Sequence, residues 1–252
     1  MFHDPHDFEI LAFFALVALF ELWERVRPAR AVDRRAHARL DVLCFGLALV
    51  MNRVSTTTVE AASDSVVGER ELGGLAAFRA WPSALRILAA VVVVDFVLYW
   101  LHRAQHRFEF LWRTHSFHHS VDELWWFSGF RTSFLHSLLY NVPQAFVPLF
   151  LFQLTPLEAG LGFALGVLAQ LWEHANVDVD LGPLRHVLVS PKYHRIHHAA
   201  IEPQNKNFAP IFALWDKLFG TWIDPRSMPA SFALGLGTPP NRATLPRMIA
   251  GL

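Results

Sequence analysis

Residues 85–101 read LRILAAVVVVDFVLYWL, and this stretch runs directly into the histidines of HRAQH at 102–106. Crossing a bilayer takes roughly 20 mostly apolar residues, so we predict a membrane segment over Ser83–Leu101. Asp95 is its one acidic residue. Ionisable groups inside a membrane are costly and often functional, so Asp95 is a candidate for supporting the site, or else bonds a neighbouring helix. The first histidines therefore lie where an apolar helix leaves the membrane.

The composition agrees with a membrane protein. Apolar residues make up 53% of the 252 residues and charged residues 17%, whereas a soluble domain carries about 25% charged residues. With 22 basic and 22 acidic residues the net charge is zero, which argues against a nucleic-acid-binding protein. The single cysteine, Cys44, excludes an intrachain disulfide and a cysteine-rich zinc site.

Four further apolar segments accompany the first one. They are Phe8–Trp23, Leu40 to about Glu60, Phe134–Leu154 and Pro156–Trp172. The second of these is weaker, because its apolar part is short enough for an interfacial or re-entrant segment. The alternative to membrane segments is a set of buried helices in a soluble protein, but too few residues remain to cover so many. We therefore predict an all-α, polytopic membrane helical bundle of four to five segments, forming one membrane-embedded domain over residues 1–252.

The distribution of arginines orients this bundle. The first 24 residues contain no Lys or Arg, and five arginines follow between residues 25 and 35. Positively charged loops stay in the cytoplasm, which places residues 102–133 and 173–252 on the cytoplasmic side. These stretches contain the histidine clusters, so we predict a cytoplasmic histidine-rich helical cap. The small size and the arginine- and alanine-rich composition suggest a bacterial inner membrane.

Ten of the 14 histidines lie in two short windows, residues 102–119 and 174–198. Helical residues i, i+3 and i+4 share one face, so we expect each HxxHH triplet to form one ligand set. Nine imidazoles are too many for one tetrahedral zinc and suit two adjacent metals with open positions. Imidazole binds zinc, copper, iron and nickel. The predicted ligands are His102, His106, His115, His118, His119, His174, His194, His197 and His198.

The order of five motifs, HRAQH, HSFHH, WEHANV, SPKYHRIHH and NFAPIFALWDKLFGT, resembles the fatty acid hydroxylase/sterol desaturase superfamily of membrane histidine-rich di-iron oxidases. The resemblance covers about residues 95–224, which would form the catalytic region. It implies two non-haem irons held by the nine histidines, O2 as cosubstrate, and a lipid C–H bond as target. Asn207 falls in the N-F segment, where we expect it to support the metal helices from the C-terminal side.

Two positions depart from the family pattern. His136 stands where many members have a glutamate. We expect it to support a ligand imidazole or to contact a lipid head group, and direct metal ligation is a third, less favoured alternative. Asp178 stands where some members have a further histidine. It is a candidate metal ligand, a residue facing solvent or, as we favour, a carboxylate that fixes a ligand imidazole. Glu173 precedes His174 near the bilayer face and could orient a ligand imidazole, but at this adjacent position it is expected to point away from the His174 ring.

Trp125 and Trp126 follow the second histidine cluster and are candidates for the wall of a substrate site. The other tryptophans suit the aromatic belt at a membrane interface. No nicotinamide or flavin motif and no haem motif is found in the sequence, so electrons would come from a separate donor, ferredoxin-like or cytochrome b5-like, with its reductase.

The sequence therefore predicts a membrane di-iron monooxygenase or desaturase acting on a fatty acyl, sterol or related lipid, with no catalytic residue beyond the metal centre. Hydroxylation, desaturation and ether-bond cleavage stay open. One alternative is a zinc-dependent membrane hydrolase of a lipid ester or peptide, although no HExxH motif supplies its general base. Another is an electron carrier with bis-histidine haem, which would need paired histidines inside the membrane segments.

Overall fold

The computed structural model describes residues 5–67, 76–203, 205–237 and 244–252. Within these ranges the chain is helical, and its one β feature is an isolated bridge between Ala199 and Leu234. The predicted all-α class is confirmed.

The chain forms ten α-helices within the described ranges. They are α1 Pro5–Val26, α2 Arg34–Val67, α3 Ala76–Arg79, α4 Ser83–Arg107, α5 Glu109–Ser116, α6 Phe134–Phe146, α7 Pro156–His174, α8 Pro191–His197, α9 Leu214–Leu218 and α10 Leu245–Ala250. Short 3-10 turns cover His118–Ser120, Trp126–Phe130, Gly182–His186 and Pro225–Ser227, and a π-helical turn covers Val147–Leu151.

Three apolar stretches are long enough to cross a membrane among the residues whose side chains are described: Arg34–Val59, Ser83–Arg107 and Phe134–Leu151. The first shows that the weak segment predicted at Leu40–Glu60 belongs to a long continuous helix. Its 26 residues extend about 39 Å at 1.5 Å per residue. α1 and α7 occupy the other two predicted segments, so every predicted segment is helical. A total of four to five spans stays a prediction.

The return between α6 and α7 is built by Thr155. Its hydroxyl accepts a hydrogen bond from Glu158 N at 3.3 Å, and Glu158 Oε2 accepts one from Thr155 N at 2.8 Å. This reciprocal capping box satisfies the first backbone donors of α7. Arg86 of α4 pairs with Glu158 at 2.5 Å and ties the cap to a neighbouring helix. α6 packs mainly against α2, whereas α7 packs mainly against α4 and the Trp126–Phe130 turn.

The segment after α8 folds back onto the histidine-bearing helices. Asp95 accepts hydrogen bonds from Ile211 N at 2.8 Å, Phe212 N at 3.1 Å and Trp215 Nε1 at 2.8 Å. Its carboxylate therefore anchors the C-terminal segment to α4. Of the two roles considered for Asp95, bonding to a neighbouring element fits these contacts better than support of an imidazole.

Asn207 also ties the C-terminal segment to a histidine-bearing helix, in this case α8. It adopts a left-handed φ of 58°, which asparagine tolerates better than most residues. Its amide donates to Tyr193 O at 3.1 Å and accepts from Ile223 N at 2.7 Å. The side chain is thus occupied by backbone groups, and it supports α8 without contacting an imidazole in the described part of the chain.

Candidate metal centre

The nine predicted histidines converge and divide into two sets. Within each set, one ligand atom from every residue lies within 4.8 Å of the others. The sets touch each other, because the His119 and His198 rings stack with centroids 4.4 Å apart. Set A is His102, His106, His115, His119 and His197, and set B is His118, His174, His194 and His198.

The division cuts through both HxxHH triplets. His115 and His119 belong to set A while His118 belongs to set B. In the other triplet the outer pair belongs to set B and His197 to set A. The expectation that each triplet forms one ligand set is therefore wrong. The consecutive rings of each triplet are nearly perpendicular, with interplanar angles of 86° for His118 and His119 and 89° for His197 and His198, so each triplet can serve two neighbouring centres.

The Nε2 atoms of four rings in each set lie at closely similar spacings. In set A, His115 Nε2 is 2.9 Å from His102 Nε2 and 3.1 Å from His119 Nε2, which is 2.9 Å from His197 Nε2. In set B, His174 Nε2 is 3.2 Å from His118 Nε2 and 3.1 Å from His194 Nε2, which is 3.1 Å from His198 Nε2. Neighbouring ligands at 90° around a metal with bonds of about 2.1 Å would lie about 3.0 Å apart. Both sets have this spacing.

Backbone carbonyls fix the tautomer of four rings. A carbonyl oxygen only accepts, so a ring nitrogen bonded to it carries the hydrogen and leaves a bare lone pair on the other nitrogen. The donors and acceptors are His102 Nδ1 to Phe208 O at 2.7 Å, His118 Nδ1 to Arg131 O at 3.2 Å, His174 Nδ1 to Gln170 O at 3.0 Å and His197 Nδ1 to Lys206 O at 2.9 Å.

With these tautomers, the inward-facing lone pairs repel each other unless a cation is bound between them. In set B, His118 and His174 both turn bare Nε2 lone pairs toward each other, and two lone pairs at 3.2 Å repel unless a cation lies between them. In set A, His106 Nδ1 contacts Asn205 Oδ1 at 2.9 Å, while its buried Nε2 has no hydrogen-bond partner. A buried polar atom without a partner is costly. The residues therefore fit one divalent metal in each set.

Burial keeps the rings in the form that binds metal. For His115, His118, His119, His194, His197 and His198, burial lowers the pKa well below its ordinary value. The neighbouring imidazoles lower these pKa values further. The rings are consequently neutral at physiological pH, and neutral imidazole is the ligand form.

His136 lies beside set A without joining it. Its Nδ1 is 3.1 Å from His115 Nδ1, and the two rings stack at 4.9 Å. Gln105 Nε2 lies 3.2 Å from the same His136 nitrogen and donates to Thr114 Oγ1 at 2.9 Å. Among the roles expected for His136, this position beside His115 favours the support of a ligand imidazole.

The carboxylate next to set B is Glu173, not Asp178. Glu173 is buried, and its two oxygens lie 3.5 Å from His174 Nδ1 and His194 Nδ1. Asp178 is exposed, so its favoured role beside an imidazole is wrong, and so is the expectation that Glu173 points away. The position next to His174 in the sequence suggested that Glu173 points elsewhere. Its carboxylate instead lies between His174 at the end of α7 and His194 of α8.

Two backbone features of the 126–131 segment shape set B, and sequence reasoning missed both. A Cβ on Gly129 would lie 2.7 Å from His174 Cγ, so only glycine allows this ring to approach. Arg131 supplies the carbonyl that orients His118. The spacing of residues in a motif does not predict such contacts. A glycine near the predicted ligands could have indicated a place where a side chain packs directly against the backbone.

Carboxylates of α1 and α2 hold this segment in place. Asp41 forms a buried ion pair with Arg131 at 2.6 Å and accepts from Trp125 Nε1 at 3.2 Å. Glu24 accepts from Trp126 N at 2.8 Å, and Glu21 accepts from Trp126 Nε1 at 2.8 Å. Both indoles therefore point to the N-terminal helices, which argues against the expected substrate wall.

A sequence profile described as fatty acid hydroxylase matches residues 87–221, just over half of the chain and including all nine histidines. The ornithine lipid hydroxylase OlsE of Rhizobium tropici is 34% identical over 158 residues, which are 62% of this chain and 47% of the relative.

Two other relatives carry different names. The alkylglycerol monooxygenase of Homo sapiens is 34% identical over 143 residues, 56% of this chain and 32% of the relative. The very-long-chain aldehyde decarbonylase GL1-9 of Oryza sativa subsp. indica is 25% identical over 140 residues, 55% of this chain and 54% of the relative. The matched segment thus spans about a third to a half of these curated relatives. No solved structure matches the chain.

Proposed function

The chain belongs to the fatty acid hydroxylase family, and from that premise we propose that it is a membrane di-iron oxygenase that uses O2 to hydroxylate or desaturate a lipid C–H bond. The observation that carries this proposal is the convergence of nine histidines into two adjoining sets with lone pairs directed inward. Hydrolases also use two adjacent metals, so the choice of O2 chemistry rests on the family model and on relatives named as hydroxylase and monooxygenase.

Iron is the metal that we assign to both sets, His102, His106, His115, His119 and His197 holding one ion and His118, His174, His194 and His198 the other. When bound, the two irons would supply the oxidation of an unactivated C–H bond with O2. The chain's own contribution is to keep the imidazoles neutral, to orient them through backbone carbonyls and to exclude water by burial. His136 and Glu173 support the ligand rings from outside.

A groove beside set A suits the acyl chain of the lipid. It has a volume of about 410 Å³ and is lined by Leu111, Leu135, Leu138 and Leu139, with Arg113 also at the surface. This volume lies within the usual range of about 300–1,000 Å³ for ligand sites. The groove residues Thr114 and Leu135 directly precede His115 and His136. We assign the leucines to the chain and the Arg113 guanidinium, which is mostly exposed, to an anionic group of the lipid.

The remaining parts of the proposal concern the whole protein. We propose a single membrane-embedded domain over residues 1–252, with the catalytic region at 95–224 and the metal centre on the cytoplasmic face of a bacterial inner membrane. The electrons come from a separate ferredoxin-like or cytochrome b5-like donor with its reductase. The zinc hydrolase has no comparable support. Glu173, a buried carboxylate beside the histidines, contacts two imidazoles and so is not free to act as a general base. The curated relatives are named as hydroxylase, monooxygenase and decarbonylase.

Comparative lipid mass spectrometry tests the proposed activity. Cells that produce the protein should contain a lipid heavier by one oxygen or lighter by two hydrogens, and this lipid should be absent with His118→Ala. Turnover should stop when O2 is removed. A product that forms equally well without O2, or a purified protein that holds zinc alone and oxidises no lipid with a competent reductase, would contradict the proposal.

A further inference from the structure

In the described part of the chain, the metal centre approaches solvent at His106. Eight of the nine histidines are buried, and His106 is partly exposed. Its Nδ1 contacts the side chain of Asn205 at 2.9 Å, and His197 Nδ1 donates to the carbonyl of Lys206 at 2.9 Å. Asn205 is exposed. Two consecutive surface residues therefore contact two imidazoles of set A directly, one through its side chain and one through its backbone.

Three cationic residues neighbour this point along the chain, and we name them the basic edge: Arg103 and Arg107, which lie on α4 on either side of His106, and Lys206, which follows Asn205. Lys206 Nζ donates to Gly220 O at 3.3 Å, and Arg103 Nη1 donates to Phe219 O at 3.3 Å. The two cations thus donate to consecutive carbonyls of the same turn. Arg107 lies one helical turn beyond Arg103 and is exposed. Glu109, which follows it, is 3.8 Å from Arg113 and is directed to that guanidinium.

We propose that the basic edge is the docking surface for an acidic one-electron donor protein. This inference rests on the proposed function, because only a redox centre needs such a partner. In each encounter the reduced donor loses one electron and the metal centre gains it, and no covalent bond forms or breaks. Hydroxylation of one C–H bond by O2 consumes two electrons and two protons from outside and yields the alcohol and water, so two encounters serve one turnover.

Position and charge both favour this partner. The probability of electron transfer falls steeply with distance, so a donor does best where an imidazole of the centre lies nearest to the surface. The histidine that meets this condition is His106. Complementary charge brings partners together faster and in the correct orientation. The chain as a whole has no net charge, so a cluster of three cations at this point is a local feature.

Lipid phosphates are the competing occupant, because the basic edge includes the end of a predicted membrane segment. The Arg103 guanidinium is already engaged by the Tyr99 hydroxyl at 3.0 Å and by the Trp100 ring at 5.3 Å. Lys206 lies in the C-terminal segment and outside the candidate spans. Head-group anchoring accounts for Arg103 and Arg107 at the end of α4, whereas donor docking accounts in addition for Lys206, which follows the residue that contacts His106.

Binding of a small acidic [2Fe–2S] ferredoxin to the purified, metal-loaded full chain in nanodiscs tests the proposal without any lipid turnover. We expect binding that weakens as ionic strength rises. Lys206→Glu and Arg107→Glu should each weaken it by about tenfold. The matched control is Arg247→Glu, a charge reversal at an exposed position of α10, which should bind as the wild type does. Ferredoxin whose carboxylates have been amidated should not bind.

Equal binding by wild type and both basic-edge variants would overturn the inference, provided that metal content is unchanged in each. Loss of association with anionic vesicles by the Lys206 and Arg107 variants, together with unchanged ferredoxin binding, would identify the basic edge as a head-group anchor instead. A wild type that binds the donor but oxidises no lipid would count against the proposed function and leave the docking surface standing.

Discussion

His118 and His174 are 56 residues apart in the chain, yet their Nε2 atoms face each other at 3.2 Å, and the Nδ1 of each ring donates to a backbone carbonyl. The carbonyls leave no proton for the space between the rings. A metal ion is the simplest species that makes this arrangement favourable. Substitution of the residues that hold these two rings in place therefore tests the metal site as directly as substitution of the ligands.

Gly129→Ala should remove the metal of set B. The new Cβ would lie 2.7 Å from His174 Cγ, a distance that forces the imidazole away from its partners. Inductively coupled plasma mass spectrometry should find about one metal per chain in place of two. The matched control is Gly162→Ala, since a Cβ there meets nothing within 4 Å. Two metals per chain in the Gly129 variant would show that His174 has room to move while still binding.

Asp41→Asn should destabilise the protein and weaken set B. The substitution breaks a buried pair with Arg131, whose carbonyl orients His118. Removing one partner of a buried ion pair costs about 3–5 kcal/mol. The denaturation midpoint should fall clearly, and metal content should fall with it. The control is Asp180→Asn, which breaks an exposed pair with Arg226 and should leave both values nearly unchanged. An equal effect of the two substitutions would contradict this account.

Glu173→Gln should lower the affinity of set B for metal by about 10–100-fold, the range found when a group that orients a metal ligand is removed. The amide keeps the shape of the side chain and loses the charge that faces His174 and His194. Competition with a chelator of known affinity measures the change. Asp178→Asn, at an exposed position five residues further on, is the control. A larger loss for Asp178→Asn would restore the role that sequence reasoning favoured for that residue.

Sequence reasoning identified the helices and the nine histidines because both leave periodic signals. Apolar runs of sufficient length mark α2, α4 and α6, and i, i+3, i+4 spacing marks imidazoles on one helix. What spacing cannot report is which neighbouring chain segment each ring faces. These tertiary contacts determine how the triplets divide between the two sets and why Glu173 lies between two rings.

The same limit explains the other differences. Gly129 acts through a contact with a residue 45 positions away, and Trp125 and Trp126 are held by carboxylates of α1 and α2. These are contacts between distant parts of the chain. Asp95 was singled out correctly as an unusual buried carboxylate, but its partners are the backbone and an indole of the C-terminal segment. A costly buried charge thus signals a tertiary anchor as readily as a metal site.

Metal-free protein should lose stability as the pH falls below about 6.5, the pKa of histidine in an unfolded chain. Six buried histidines outside the candidate spans have pKa values well below this in the folded state, and burial lowers the pKa of a seventh, His174, to about 4. The unfolded chain therefore binds more protons in acid, and each such histidine lowers the free energy of unfolding by about 1.4 kcal/mol per pH unit. Denaturation midpoints at pH 7.5, 6.0 and 5.0 measure the slope. A flat profile would mean that these rings are protonated when folded.

Leu138→Trp should shift the products toward shorter acyl chains, because the larger side chain would fill the groove beside set A. The matched control is Leu161→Trp on α7, a position 51% exposed and outside the groove. Lipid mass spectrometry compares the chain lengths of the products. An unchanged profile in the Leu138 variant, or the same shift in both variants, would place the acyl chain elsewhere.

The most direct test of the central claim is the iron content per chain of protein purified from iron-supplied cells, compared with two single-ligand variants. His106→Ala removes a ligand of set A, and His194→Ala removes a ligand of set B. We predict two irons in the wild type and about one in each variant, with the remaining iron held by the intact set. A wild type that binds a single metal ion would contradict the existence of two metal sites built from these nine imidazoles.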